Sequence, residues 1–147
     1  MNENLVYLVQ TDTTVGFCSA NYKKLNSIKN RVENQKVLAT IDSFKTLQKY
    51  TRVPKKYRKL VRNTKKTTFI YPNQDSFRVI DKNSNYHNFI KKFSLLYSSS
   101  ANKTKEKFSY KYAKNLANIE VIDKNGFYES SASKIFRLYK KRVKKLR

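Results

Sequence analysis

From residue 5 to residue 10 nearly every side chain is apolar, and the run stops in the hydroxyl-rich Thr11-Asp12-Thr13-Thr14. A short apolar run bounded by turn residues predicts a buried strand. The turn is expected to extend over residues 11–18, with Gly16 where the backbone comes close to something or bends sharply. Tyr22, Leu25 and Ile28 then recur at three-residue spacing, the pattern of an amphipathic helix that Asn21 can cap. Residues 37–41 form a short apolar strand, and Asp42 or Ser43 caps a helix with Phe44, Leu47 and Tyr50 facing inward. Pro54 suits the first turn of another helix, whose inner face is Tyr57, Leu60 and Val61.

Residues 67–71 are β-branched and aromatic and residues 76–80 alternate, so both read as strands, joined by the short link 72–75. Tyr86, Phe89, Ile90 and Phe93 lie at i, i+3, i+4 and i+7, one face of a helix, with the lone His87 off that stripe and assigned to the surface. A short strand at 94–97 gives way to Ser98-Ser99-Ser100-Ala101-Asn102, read as a polar segment breaking out of it. A helix around Tyr110, Ala113 and Leu116 and a strand at 119–122 follow. Short strands alternating with amphipathic helices predict an α/β chain. The expected division is a single domain over residues 1–139 and a basic C-terminal tail over 140–147.

Composition sharpens this. A chain of 147 residues with 39% hydrophobic content, 11 Tyr and 9 Phe can close a core. One Cys and one His supply no thiolate or imidazole cluster for zinc. The sequence has no apolar run of the roughly 18 to 20 residues that spans a membrane and no signal-peptide pattern, so no membrane partner and a cytoplasmic location are expected.

The formal net charge is +23. Coding bias accounts for part of it, since 25 of the cations are Lys and Asn, Tyr and Ile are also abundant. Bias does not explain segregation: residues 49–66 hold nine cations and no acid, and residues 134–147 hold eight and no acid. Clustered cations of this kind suit a polyanion and bind nucleic acid without reading sequence. The candidate RNA-binding residues are Lys55, Lys56, Arg58, Lys59 and Arg62 in the first block and Lys140, Lys141, Arg142, Lys144, Lys145 and Arg147 in the second. The partner would be tRNA or duplex RNA.

Several short motifs carry a family resemblance. Thr11-Asp12-Thr13-x-x-Gly16-Phe17 resembles the Thr-(Asp/Glu)-Thr-x-x-Gly-Leu motif that opens the YrdC-type threonylcarbamoyl-adenylate synthases. Lys29-Asn30-Arg31 resembles that family's Lys-x-Arg element, and Lys36-Val37-Leu38 its Lys-Pro-Leu, one residue late and without the Pro. Arg78 resembles the Arg of its Val-Arg-x-Pro strand. Ser98-Ser99-Ser100-Ala101-Asn102 is similar to Ser-Thr-Ser-Ala-Asn, and Ser131-Ala132-Ser133-Lys134-Ile135 to the closing Pro-Ser-Thr-Ile. The family's Trp-Pro-Gly-Pro turn is replaced by Asn63-Thr64-Lys65-Lys66, and the loop after the next strand is much shorter.

The resemblance implies a YrdC-like fold, a single-domain open twisted mixed sheet with helices on both sides. It implies condensation of L-threonine, bicarbonate and ATP, with Mg²⁺ accompanying the ATP, toward threonylcarbamoyladenosine in tRNA, alongside other proteins of that modification. By the same resemblance Lys29, Arg31, Ser98, Ser100 and Asn102 would hold ATP, and Thr11, Lys36, Arg78 and Ser133 would hold threonine. No residue is assigned as a catalytic acid or base. Two further readings stand beside the nucleotidyltransferase: a non-catalytic relative that binds RNA or a nucleotide, suggested by the lost turn and short loops, and an assembly protein whose charge serves solubility.

Overall fold

The computed structural model describes residues 4–147. They form nine strands of a mixed, open sheet together with five α-helices and one 3-10 turn. The chain divides into two compact units, one made of the chain up to Val37 with Leu96–Ala132, the other of Leu38–Leu95 with Ser133–Arg147.

In the first unit β1 (Tyr7–Gln10) turns through residues 11–14 into β2 (Val15–Ser19), its antiparallel partner. The expected turn over 11–18 is therefore four residues long, and Val15 to Ser19 are strand. Gly16, directly after a hydroxyl-rich turn, hides β2 from a propensity reading, yet all five residues are buried between two neighbours. Its other neighbour is β6 (Leu95–Ser100), also antiparallel, with Gly16 opposite Ser100 and Cys18 opposite Ser98. Ser98 to Ser100 thus lie in the strand rather than breaking out of it. Their ladder bonds to β2 outweigh the preference of serine for turns. Ser94, expected within this strand, sits just before it in the left-handed region at φ 67°.

Helix α1 (Tyr22–Ile28) is capped by Asn21, whose side chain accepts from the Lys23 amide at 3.0 Å. Helix α5 (Tyr110–Leu116) is capped by Ser109 and leads to β7 (Ile119–Val121), parallel to β1. The strand order is β7-β1-β2-β6. Val6, Leu8, Val15, Phe17, Leu25, Ala101 and Ala113 form the core. Each fully buried Val, Leu or Phe contributes about 1.5 to 3 kcal/mol of transfer free energy.

The second unit carries the order β3-β5-β4-β8-β9, with β3 Ala39–Ile41, β4 Thr67–Ile70, β5 Ser76–Val79, β8 Lys134–Leu138 and β9 Val143–Lys145. Strand β4 lies antiparallel to β5 and parallel to β8, and β9 returns antiparallel to β8. The segment 140–147 thus contains the β9 strand. Its lysines had masked the strand, because charged residues in a row read as a solvated run.

Ser43, not Asp42, caps α2 (Phe44–Leu47), accepting from the Thr46 amide at 3.1 Å. Because α2 ends at Leu47, Tyr50 falls beyond it and is 52% exposed rather than inward-facing. Pro54 precedes a 3-10 turn, Lys55–Tyr57, that runs into α3 (Arg58–Asn63). The change of pitch rotates Leu60 off the inner face to 40% exposure, while Tyr57 and Val61 stay buried. In α4 (Asn85–Ile90) Tyr86 and Ile90 are buried, and half-buried His87 sets its Nε2 3.0 Å from the Asp42 carbonyl. Phe69 stacks on Phe136 at 5.8 Å and Tyr71 meets Phe77 edge-on at 5.9 Å.

Candidate functional site

Three pieces of the first unit meet around β2 and β6. Thr11 closes the hairpin turn: its Oγ1 donates to the Thr14 carbonyl at 2.5 Å and accepts from the Thr13 amide at 3.2 Å. This fixes the Thr11 rotamer, with its methyl group toward Gly16. A Cβ on Gly16 would stand 3.0 Å from Thr11 Cγ2, 3.3 Å from Ser98 Oγ and 3.4 Å from the Ser99 carbonyl. Gly16 is therefore required by close approach: the missing side chain lets Thr11 and Ser98 close over the strand. Ser98 Oγ also accepts from Cys18 Sγ at 3.6 Å, which accounts for the chain's one thiol as a buried packing group.

The second link is Lys29, the residue that ends α1. Its Nζ donates to the Ser100 carbonyl at 2.9 Å and to the Asn102 carbonyl. Its pKa is lowered to about 8, first by burial and then by the nearby Arg31 charge. Burial disfavours the ammonium, but at about 8 the group is still protonated at neutral pH. An ammonium has three N–H donors, so the two carbonyls leave one for another acceptor. Asn30, at φ 55°, lets the chain turn sharply out of the helix. Buried Asn26 then holds the outgoing segment, its side-chain Nδ2 donating to the carbonyls of Glu33 and Gln35, both at 2.9 Å, and its main-chain carbonyl accepting from the Arg31 main-chain amide at 2.8 Å. Sequence reading overlooked Asn26, although a polar residue among the apolar positions of a helix was a usable signal.

The structure thus brings Lys29, Ser100 and Asn102 into contact, sets Arg31 beside Lys29, and seats Thr11 against Ser98 through Gly16. Ser100 is exposed and Asn102 half-buried. The Asn102 amide is turned onto its own loop, donating to the Lys103 and Glu106 carbonyls at 3.1 and 2.7 Å. Lys36 lies exposed beyond the Asn26-held segment. A cationic pair beside an exposed hydroxyl is an arrangement that can hold phosphate oxygens.

In the second unit Arg78, 3% exposed, donates from Nη1 to Thr68 Oγ1 at 3.5 Å, and the Thr68 and Ser133 hydroxyls are 2.9 Å apart. Arg147 reaches the same place, Nε donating to the Ser133 carbonyl at 2.9 Å and Nη2 to Ser133 Oγ at 3.3 Å. Two guanidinium groups and two hydroxyls thus meet, Thr68 and Arg78 on β4 and β5, Ser133 just before β8 and Arg147 just after β9, a set suited to a carboxylate. Thr68 was missed because it sits mid-strand, where Thr is ordinary; Arg147 was read only as part of the basic block. Among the described residues no group of three or more His, Cys, Asp and Glu is placed to hold a metal ion.

The two basic blocks touch: Lys56 Nζ donates to the Lys141 carbonyl at 3.2 Å. Aromatic rings are interleaved with the cations, Arg62 over Phe44 at 4.8 Å and Arg142 over Tyr139 at 4.4 Å. Lys55, Lys59, Lys140, Lys144 and Lys145 are exposed, whereas half-buried Arg58 spends its Nε on the Val53 carbonyl at 3.3 Å.

No helix is long and apolar enough to cross a membrane among the described residues. No protein-family model matches the chain, and no curated protein matches it in sequence. Solved structures do. Sua5 from P. abyssi complexed with L-threonine has a TM-score of 0.78 at 14% identity, the match covering 99% of this chain and 50% of that one. MTH1692 from Methanobacterium thermoautotrophicum has 0.71 at 15%, covering 98% and 80%. Full-length HypF in a phosphate- and nucleotide-bound form has 0.73 at 12%, covering 99% and 27%. The chain spans about half the length of P. abyssi Sua5. Identities this low speak to architecture alone, and the architecture is that of the YrdC/Sua5-type fold.

Proposed function

We propose that the chain is a threonylcarbamoyl-adenylate synthase-like protein that binds ATP with Mg²⁺, L-threonine and bicarbonate. The observation that carries the reading is the Lys29 ammonium on the Ser100 and Asn102 carbonyls, with Arg31 alongside. Supporting it are the L-threonine bound by P. abyssi Sua5 and the nucleotide bound by HypF, two proteins of like fold.

In the reaction, the threonine amine adds to the bicarbonate carbon and water leaves, giving a carbamate. A carbamate oxygen then attacks the α-phosphorus of ATP, the bond to the bridging oxygen breaks, and diphosphate departs with that electron pair. Such a transfer needs alignment and charge neutralisation more than acid–base groups. Lys29 and Arg31 hold the triphosphate, Arg31 as a two-pronged donor and Lys29 through its remaining N–H. Ser100 presents its exposed hydroxyl, and Ser98 and Asn102 shape the strand end that carries it. Thr11 borders the same strands, and the second unit offers a carboxylate site of its own in Arg78 with Ser133. The test is diphosphate release from ATP and bicarbonate. Release that requires threonine supports the reading; nucleotide binding without any threonine-dependent release favours the non-catalytic relative, for which the replaced Trp-Pro-Gly-Pro turn already argues.

A further inference from the structure

Four large apolar side chains stay exposed along the two strands that have a neighbour on one side only: Ile119 and Ile122 on and just after β7, and Val143 and Leu146 on and just after β9. An open apolar strand edge is a template for another strand. The charges beside these residues differ in sign. Residues 115–133 hold three acids and one cation in a chain of net charge +23, and two of those acids, Glu120 and Asp123, belong to the β7 edge. The β9 edge carries Arg142, Lys144 and Lys145. Lysine on an edge ordinarily discourages strand addition. Here it repels a second β9 and favours an edge that bears acids.

The backbone sets which groups each edge offers. The Ile119 amide donates inward to the Val6 carbonyl at 3.2 Å, so by the alternation of a strand the main-chain groups of Glu120 and Ile122 face outward. The Tyr139 amide donates to the Arg142 carbonyl and the Leu146 amide to the Ile135 carbonyl, both at 2.8 Å, so Arg142, Lys144 and Leu146 face β8 while Val143 and Lys145 face outward. Laid antiparallel with Glu120 opposite Lys145, the two edges also set Ile122 opposite Val143. The outward-facing residues of one strand then meet those of the other, and each pair can exchange two N–H···O bonds. In the same register Ile119 meets Leu146 and Asp123 meets Arg142. The match ends at the hairpin tip, where Lys124 falls opposite Lys141.

We propose that β9 of one copy of the chain adds to β7 of a second copy in this register, so that copies associate head to tail. The two apolar pairs supply attraction, and the Glu120–Lys145 and Asp123–Arg142 pairs select the register. Pairing of like edges would bring acids or lysines together, so neither edge takes itself as partner. Each contact uses one β7 and one β9, and assembly therefore grows with concentration. The contact does not depend on the proposed chemistry of the first unit.

The experiment is sedimentation velocity of the full chain over a concentration series at about 0.15 M salt, where a Debye length of about 8 Å screens repulsion between whole molecules more than it weakens a contact pair. The sedimentation coefficient should rise with concentration. Glu120→Lys and Lys145→Glu should each weaken association about five- to tenfold, although they move the net charge in opposite directions, and Glu120→Lys/Lys145→Glu in one chain should restore it. Glu106→Lys combined with Lys145→Glu should restore nothing, with circular dichroism checking that every variant folds. A coefficient independent of concentration overturns the proposal, as does association that neither reversal alters or a double variant no tighter than the singles. Sensitivity to Glu120→Lys alone would mean that β7 pairs with itself, and sensitivity to Lys145→Glu alone that β9 does; either result overturns the head-to-tail contact.

Discussion

Lys29 Nζ donates to the Ser100 carbonyl across 2.9 Å, fastening the end of α1 to the end of β6 although 71 residues separate them in the chain. A lysine at that place in the sequence resembles a solvated helix end. In the fold it is 6% exposed, and its charge is neutralised by main-chain dipoles rather than by an acid. It therefore both shapes the end of β6 and keeps a positive charge there.

Lys29→Gln removes that charge and shortens the reach to the two carbonyls. Stability is expected to fall by about 1 kcal/mol, because the two lost bonds are partly offset by no longer burying an ammonium. The shift is read from the midpoint of urea unfolding. ATP affinity should fall more than tenfold, which separates the charge from the packing.

The pH dependence follows from the lowered pKa of Lys29. Bound phosphate favours the ammonium, so ATP binding takes up protons above pH 8, and affinity should decline as pH rises from about 8. The folding sign is opposite. The folded pKa lies below the ordinary 10.5, so this group's contribution to stability is least below pH 8 and grows toward pH 10.5. Calorimetry in buffers of different ionisation heats measures the proton uptake, and Lys29→Gln should abolish it.

Gly16→Ala places a methyl group 3.0 Å from Thr11 Cγ2 and 3.3 Å from Ser98 Oγ, between a hydrogen-bonded turn and a central strand. Neither neighbour moves freely, so a loss of about 1 to 3 kcal/mol is expected from overpacking. Thermal unfolding reads it, and an unchanged midpoint would mean that the hairpin turn yields.

Arg147→Ala releases the Ser133 hydroxyl and carbonyl from a two-pronged donor. Threonine affinity, measured by calorimetry with the nucleotide present, should weaken several-fold, with Arg147→Lys in between. Equal affinity in all three would confine Arg147 to supporting β9.

The sequence disclosed those parts of the fold whose residues suit their surroundings. The apolar run through Leu8, the spacing of Tyr22, Leu25 and Ile28, and the pair of strands around Phe69 and Phe77 were legible from pattern alone. Strand β2 was not, because Gly16 interrupts it directly after a hydroxyl-rich turn and only its two neighbouring strands hold the segment extended. Ser98 to Ser100 misled for the same reason, and Lys144 and Lys145 hid β9 by looking like a tail. The convergence of Lys29 with Ser100 and Asn102 could be expected only through the family resemblance. No local rule links a helix end to a strand end so far along the chain, and Asn26, Thr68 and Arg147 became visible only as hydrogen-bond partners.

The most direct measurement is a calorimetric titration of ATP with Mg²⁺ into the full chain and into Arg31→Ala and Ser100→Ala. The account predicts saturable binding to the unaltered chain, weakened at least tenfold by Arg31→Ala, a loss of about 1.4 kcal/mol, and by a smaller factor by Ser100→Ala. Equal affinity in all three proteins would contradict it and remove the nucleotide from the Lys29–Ser100 site.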